Sequence, residues 1–136
     1  MTKIQTSSTS PMRIDAVPVP GTTGLIGMTF CPGKKDLDLG GFWDRDLKLT
    51  RDVSVPDDLF EELWEESGWR LRQILSEGGR VVLHCRGGIG RTGTIAARLL
   101  VEFGVAPEEA IRMVRRARPG TIETMAQEEY VLSLKR

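Results

Sequence analysis

The sequence predicts an α/β domain in which a small central sheet is flanked by helices. Two observations carry this prediction. Residues 80–84 (RVVLH) form a short β-branched run that leads directly into a glycine-rich turn at residues 85–93, and then into a helical pattern. Strand, glycine turn and helix in that order are typical of α/β proteins. On both sides of this unit, apolar residues recur at helical spacing, after Pro56 and again after Thr92.

The composition fits one globular domain. The chain has 136 residues, of which 40% are hydrophobic and 28% charged. Its 19 basic and 19 acidic residues cancel, which argues against a polybasic nucleic-acid binder. The sequence contains neither an apolar run of 18 residues nor the apolar core of a secretory signal, so we expect no membrane partner. With only two cysteines, the default prediction is a cytoplasmic domain with reduced thiols.

The N-terminal part carries the weaker structural signals. Residues 1–13 are rich in Ser, Thr and Pro, and further prolines and glycines follow, so we expect a flexible tail over residues 1–24 and a single domain over residues 25–136. Residues 25–31 (LIGMTFC) form an apolar run that ends at a Pro-Gly pair and predict a strand. Residues 33–56 are charged and punctuated by glycine, and we expect mostly loop there.

A first helix is predicted after Pro56. Apolar residues from Leu59 to Leu75 follow helical spacing, and acidic residues lie at the N-terminal end, where the helix dipole favours them. Gly78 and the glycine that follows it are expected to end the helix. The β-branched run that comes next predicts a buried strand.

Three further helices are predicted after the glycine-rich turn. Residues 92–103 place apolar side chains on one helical face. Pro107 begins the next helix, in agreement with the preference of proline for the first helical position. Thr124 and Gln127 have the spacing of a capping box and predict the start of a last helix.

The chemistry of the chain is concentrated in residues 84–92 (HCRGGIGRT). Gly87, Gly88 and Gly90 allow the loop to curl so that its backbone N–H groups point inward and form an anion nest. The N-terminal end of the following helix adds its positive partial charge at the same place. Arg91 supplies a fork for two oxygens. An oxyanion of the size of phosphate is the occupant that this loop favours.

The same surroundings act on Cys85. A free thiol titrates near about 8.5, and helix N-termini and neighbouring cations lower its pKa by several units. We therefore expect a thiolate at neutral pH, placed to attack phosphorus. The Thr92 hydroxyl can donate a hydrogen bond to the sulfur. His84, the only histidine of the chain, is expected to support the loop from the end of the strand.

The motif of Cys, five residues, Arg and Thr in HCRGGIGRT resembles the signature of the protein tyrosine phosphatase superfamily. Its details are those of the dual-specificity branch and are most similar to the cyclin-dependent-kinase-associated phosphatase group and its bacterial relatives. Residues 52–57 (DVSVPD) resemble the general-acid loop of the family, and residues 118–124 (RPGTIET) with Gln127 resemble its late glutamine-bearing segment. The resemblance implies a cysteine-phosphatase fold with a strand–phosphate loop–helix core. It also implies that the reaction needs neither a metal ion nor another cofactor.

The resemblance also implies a two-step reaction. Cys85 attacks phosphorus to form a phosphocysteine, while Asp52 first protonates the leaving oxygen and then activates water. Gln127 helps to place that water. The phosphate oxygens are held by Arg86, Gly87, Gly88, Ile89, Gly90 and Arg91. Three other carboxyl groups remain alternatives to Asp52 as the general acid: Asp57, Asp46 and Asp44.

The sequence departs from the family before the general-acid loop. Relatives carry several dozen residues between a segment like residues 42–47 and that loop, whereas here Leu49 is separated from Asp52 by two residues. We therefore expect a reduced fold in which the strand at residues 81–83 has lost neighbours and exposes an edge. A natural minimal phosphatase, a strand-exchanged dimer and a deletion variant with impaired turnover are all consistent with this.

Three functions follow from these observations. The first is hydrolysis of phosphorylated residues in proteins, either tyrosine alone or both tyrosine and Ser/Thr, with a phosphorylated protein as the partner. The second is a phosphate-binding pseudophosphatase or interaction module, which the lost segment favours. The third is a phosphatase for phosphoinositides or other small phosphates, which is disfavoured because the loop holds no lysine.

Overall fold

The computed structural model describes residues 13–30, 56, 58–85 and 89–135. Its elements in chain order are strands β1 (Asp15–Pro18) and β2 (Leu25–Phe30), helix α1 (Asp58–Ser76), strand β3 (Arg80–Cys85), and helices α2 (Gly90–Glu102), α3 (Pro107–Ala117) and α4 (Met125–Leu132). The predicted α/β class is confirmed, as are the first strand after residue 24, the strand before the glycine-rich turn and the four helices. The loop expected over residues 33–56 lies almost wholly outside the described residues.

The described strands form one sheet in the order β1-β2-β3. β2 pairs antiparallel with β1 and parallel with β3, with Phe30 opposite Cys85. Ile26 and Met28 on β2 are fully buried, as expected for a central strand. β3 lies at the edge of the described sheet, and Val82 there keeps 37% of its surface exposed. Residues 31–55 lie outside the described residues, so the exposed edge predicted for residues 81–83 stays a prediction.

β1 corrects the flexible tail expected over residues 1–24. Residues 15–18 pair with β2, and Val17 and Val19 are each only 1% exposed, so this stretch belongs to the core. Pro18 and Pro20 indicate a break in the sequence, but an edge strand tolerates proline because an outward-facing position needs no N–H donor. Asp15 also forms an ion pair with Arg118 (2.8 Å). Residues 1–12 lie outside the described residues.

Helix α2 is the central helix of the described fold. It packs against β2, β3, α3 and α4, and its residues from Thr92 to Ala97 are buried. Ala96 and Ala97 are fully buried and have small side chains, which lets the neighbouring elements approach closely. Because α2 follows the glycine-rich turn directly, this packing holds the helix end that faces the candidate site.

Helix α1 is tied to α2 through Glu102. Its carboxylate accepts hydrogen bonds from Trp64 Nε1 (3.0 Å), Arg72 Nη1 (2.8 Å) and Arg98 Nε (3.0 Å). Arg98 also pairs with Glu61, and its guanidinium lies over the Trp64 ring, 5.2 Å from the centroid. The Arg98 side chain is only 12% exposed, so its acidic partners are needed to offset the free-energy cost of burying its positive charge.

Glu102→Ala is therefore expected to destabilise the protein by about 2 kcal/mol, because it removes one of the two acidic partners of a mostly buried guanidinium and leaves the indole N–H of Trp64 without its acceptor. The free energy of unfolding from urea titration followed by tryptophan fluorescence checks this. Glu109→Ala is the matched control, since Glu109 pairs with Arg112 on an exposed face (side chains 43% and 62% exposed) and should change stability little. Equal losses in the two variants would contradict the prediction.

Candidate active site

The candidate site lies between the end of β3 and the start of α2. Cys85 is the last residue of β3 and is partly exposed, and Gly90 is the first residue of α2. Ile89 is the N-cap residue, and no described side chain caps this helix end. The first N–H groups of α2 are thus not satisfied by a capping side chain, which is the arrangement that suits an anionic ligand.

Several predicted site residues lie outside the described part of the chain. These are Asp52, Arg86, Gly87, Gly88 and the alternative acids Asp44, Asp46 and Asp57. The structure therefore gives the two ends of the candidate phosphate loop, at Cys85 and Ile89, and the helix that follows. His84 lies one residue before Cys85, opposite Thr29 of β2, and its predicted supporting role stays a prediction.

Arg91 and Thr92 lie in the first turn of α2. Thr92 is 2% exposed, and its hydroxyl has no hydrogen-bond partner among the described residues. The predicted hydrogen bond to the Cys85 sulfur is therefore not formed in this structure. The buried hydroxyl of Thr94, by contrast, donates to Gly90 O (2.7 Å). A buried hydroxyl without a partner costs about 1–3 kcal/mol, which marks Thr92 as a functional candidate.

Gln127 connects α4 with the start of α2. The predicted capping box is confirmed: Gln127 N donates to Thr124 Oγ1 (3.0 Å) and Gln127 Oε1 accepts from Thr124 N (3.1 Å). The same oxygen accepts from Glu123 N (2.9 Å). The amide is fully buried, and a Cβ added at Gly90 would lie 3.2 Å from both Nε2 and Oε1. Gln127 is thus both a cap and a neighbour of the candidate site.

The segment between α3 and α4, residues 118–124, supports the end of the candidate loop. Ile122 N donates to Ile89 O (3.0 Å), which also accepts from Gly93 N (3.1 Å). The segment lies so close to α2 that a Cβ at Gly93 would be 2.7 Å from Thr121 Cβ. A glycine at position 93 is therefore required for residues 118–124 to lie this close to α2. Gly93 is also the feature of the sequence that indicates this close contact.

Ile122 adopts a left-handed backbone conformation with φ of 59°. For a β-branched residue this is rare and costs about 1–3 kcal/mol, and such strain tends to cluster at functional sites. Arg115 lies over this position, donating from Nε to Thr121 O (3.0 Å) and from Nη2 to Ile122 O (3.0 Å). Sequence reasoning did not single out either residue.

The described residues contain no group of three or more His, Cys, Asp or Glu side chains that could hold a metal ion. Among the described helices, none is both long and apolar enough to cross a membrane.

Comparison with known proteins agrees with this geometry. Residues 65–131 match the model of the Swiss Army Knife protein family, DSP-PTPase phosphatase domain. Tyrosine-protein phosphatase CDC14 of Candida albicans is 40% identical over 50 residues, which are 36% of this chain and 9% of that protein. Dual specificity protein phosphatase CDC14AB of Danio rerio is 44% identical over 83 residues, 60% of this chain and 12% of that protein. The chain thus spans about a tenth of the length of the curated relatives it matches.

The fold has a solved counterpart. The crystal structure of kinase associated phosphatase, with its catalytic-site cysteine substituted by serine, superposes with a TM-score of 0.66 at 18% identity, over 90% of this chain and 93% of that chain. These findings show that the chain belongs to the protein tyrosine phosphatase superfamily, in its dual-specificity branch. Within that branch its fold resembles kinase associated phosphatase, so the predicted family and fold class are confirmed.

Proposed function

We propose that this domain hydrolyses phosphotyrosine in proteins through a phosphocysteine intermediate, and that it also accepts phosphoserine and phosphothreonine. The observation that carries the proposal is the placement of Cys85 at the end of β3, shortly before a helix that starts at Gly90, has no capping side chain among the described residues and carries Arg91 in its first turn. A catalytic-site cysteine in kinase associated phosphatase supports the same role for Cys85.

In the first step, the Cys85 thiolate attacks phosphorus. An S–P bond forms and the bond from phosphorus to the tyrosyl oxygen breaks, while that oxygen takes a proton from the Asp52 carboxyl group. The Arg91 fork and the N–H groups of the loop and of the α2 N-terminus hold the three non-bridging oxygens and stabilise their charge in the transition state.

In the second step, the Asp52 carboxylate takes a proton from a water molecule, whose oxygen attacks phosphorus. The S–P bond breaks, inorganic phosphate leaves and the thiolate is restored. The Thr92 hydroxyl donates a hydrogen bond to the departing sulfur, a role that is supported by its burial in the first turn of α2 without a described partner. The Gln127 amide orients the water, a role that is supported by its burial and by its closeness to Gly90.

The experiment that tests this function is an assay of the wild-type chain with p-nitrophenyl phosphate, followed by phosphotyrosine, phosphoserine and phosphothreonine peptides. Hydrolysis of all three peptides is expected. Activity on phosphotyrosine alone would remove the dual specificity. Activity on phosphoinositides or other small phosphates in preference to peptides would move the proposal to that substrate class.

Asp52→Asn tests the general acid. With p-nitrophenyl phosphate, kcat is expected to fall by about 10²-fold, and the decline of kcat on the basic side of the pH profile should disappear because it reports loss of the proton from Asp52. Asp57→Asn is the matched control, since Asp57 precedes α1 and is an alternative acid. An unchanged basic limb in Asp52→Asn, with the limb lost in Asp57→Asn, would transfer the role to Asp57.

A second candidate function is phosphate binding without turnover. It is favoured by the interval of only two residues between Leu49 and Asp52, where relatives carry several dozen residues before the general-acid loop. Tungstate, a tetrahedral oxyanion, separates the two functions. Tungstate binding by titration calorimetry in a wild-type chain that hydrolyses none of the substrates would establish the binding module. A size measurement in solution tests the strand-exchanged dimer that the predicted exposed edge of β3 allows.

A further inference from the structure

Arg115 joins the last turn of α3 to the segment that supports the candidate phosphate loop. Its Nε donates to Thr121 O and its Nη2 to Ile122 O, each at 3.0 Å. We propose that Arg115 is a positioning residue of the active site, which acts through two consecutive peptide groups on Ile89 and Gln127. This inference rests on the proposed function, because it concerns the geometry of the same site.

The first peptide group links Arg115 to the end of the loop. Thr121 O and Ile122 N belong to one planar trans unit, so its C=O and N–H point in opposite directions. Thr121 O accepts from Arg115 Nε (3.0 Å), and Ile122 N donates to Ile89 O (3.0 Å). The guanidinium therefore fixes the direction in which this peptide N–H meets the N-cap residue of α2.

The second peptide group links Arg115 to the buried amide. Ile122 O and Glu123 N share the next planar unit. Ile122 O accepts from Arg115 Nη2 (3.0 Å), and Glu123 N donates to Gln127 Oε1 (2.9 Å). Both hydrogen-bonded chains start on one planar fork, and hydrogen bonds in such chains polarise and strengthen one another.

Ile122 explains why an arginine is needed. With φ of 59°, its backbone turns the two flanking carbonyls toward the same guanidinium, in a conformation that an isoleucine avoids on its own. A fork with fixed geometry can hold both carbonyls together, whereas the ammonium group of lysine is a point charge on a flexible stem. The strained conformation thus depends on the shape of the side chain at position 115 and not on its charge alone.

The test compares Arg115→Met and Arg115→Lys with wild type. We expect kcat for p-nitrophenyl phosphate to fall by about 10²-fold in both variants, the scale associated with a displacement of reacting groups by about 1 Å. Tungstate affinity should weaken in parallel. The pH midpoint of Cys85 alkylation by iodoacetate should rise, since a displaced loop stabilises the thiolate less. Arg112→Met is the control, because Arg112 lies on the same helix, is 62% exposed and pairs with Glu109.

The readouts are chosen to separate positioning from folding. Circular dichroism establishes that each variant is folded, and if Arg115→Met is not, Arg115→Lys carries the comparison. A folded variant with wild-type kcat, tungstate affinity and alkylation midpoint would overturn the proposal, and so would full activity in Arg115→Lys. If the wild-type chain itself hydrolyses nothing, the proposed function fails, while tungstate affinity and the alkylation midpoint still decide the role of Arg115.

Discussion

Cys85→Ser is expected to abolish hydrolysis of p-nitrophenyl phosphate, with kcat reduced by about 10⁴-fold or more, the scale of loss when the nucleophile of a concerted catalytic group is removed. A serine hydroxyl stays protonated at neutral pH, and the field of a helix N-terminus is too weak to ionise it. Tungstate binding should persist, because Arg91 and the N-terminus of α2 are left in place. Steady-state kinetics and titration calorimetry on the same preparation measure the two effects.

Measuring kcat and tungstate affinity together separates a nucleophilic role of Cys85 from a structural one. Substantial hydrolysis by Cys85→Ser would exclude a phosphocysteine intermediate. Loss of tungstate binding together with activity, in a folded variant, would mean that the cysteine shapes the loop instead of attacking phosphorus. A wild-type sample incubated with p-nitrophenyl phosphate and quenched in acid should also carry phosphate on Cys85, detectable as a mass increase that the serine variant lacks.

Arg91→Lys is expected to produce the second largest loss, about 10²–10³-fold in kcat/KM, the scale seen when one preorganised donor to a transition-state oxyanion is removed. Lysine keeps the positive charge but loses the planar pair of donors that matches two phosphate oxygens. Tungstate affinity should fall as well, in contrast to Cys85→Ser. Kinetics and calorimetry again provide the measurements.

The matched control for this substitution is Arg112→Lys, on the exposed face of α3. It makes the same chemical change at a residue that lies outside the site, so it should leave kcat/KM unchanged. If Arg91→Lys behaved like the control, charge alone would account for phosphate binding, and the fork would have no role in the transition state.

The parts of the fold that could be predicted are those with local causes. The spacing of Phe60, Trp64 and Leu75 and the flanking proline and glycine predict α1, because amphipathic spacing and stop signals act within a few residues. The capping box at Thr124 predicts the start of α4 for the same reason. β1 cannot be predicted in this way, because Pro18 and Pro20 signal a break locally. Pairing with β2, which only the folded sheet supplies, makes the edge strand favourable.

The candidate site also contains residues that a local motif predicts and residues whose roles depend on the tertiary structure. Cys85, Arg91 and the glycines between them lie within one short stretch, so their chemistry can be predicted from the motif. The roles of Ile122 and Arg115 depend on contacts made across the fold, between the segment before α4, the last turn of α3 and the residue before α2. No local pattern in residues 115–122 indicates a left-handed isoleucine, and its conformation follows from the tertiary structure.

The register between β2 and β3 determines on which of the two faces of the sheet the Cys85 side chain lies. Side chains alternate between the faces of a strand, so a slip of one residue in the register that sets Phe30 opposite Cys85 would turn the thiol to the opposite face of the sheet. The fully buried Ile26 and Met28 oppose this slip, because it would move them out of the core. Both residues lie on β2, whose last residue, Phe30, is opposite Cys85. The face on which the Cys85 thiol lies thus depends partly on hydrophobic residues that are fully buried in the core.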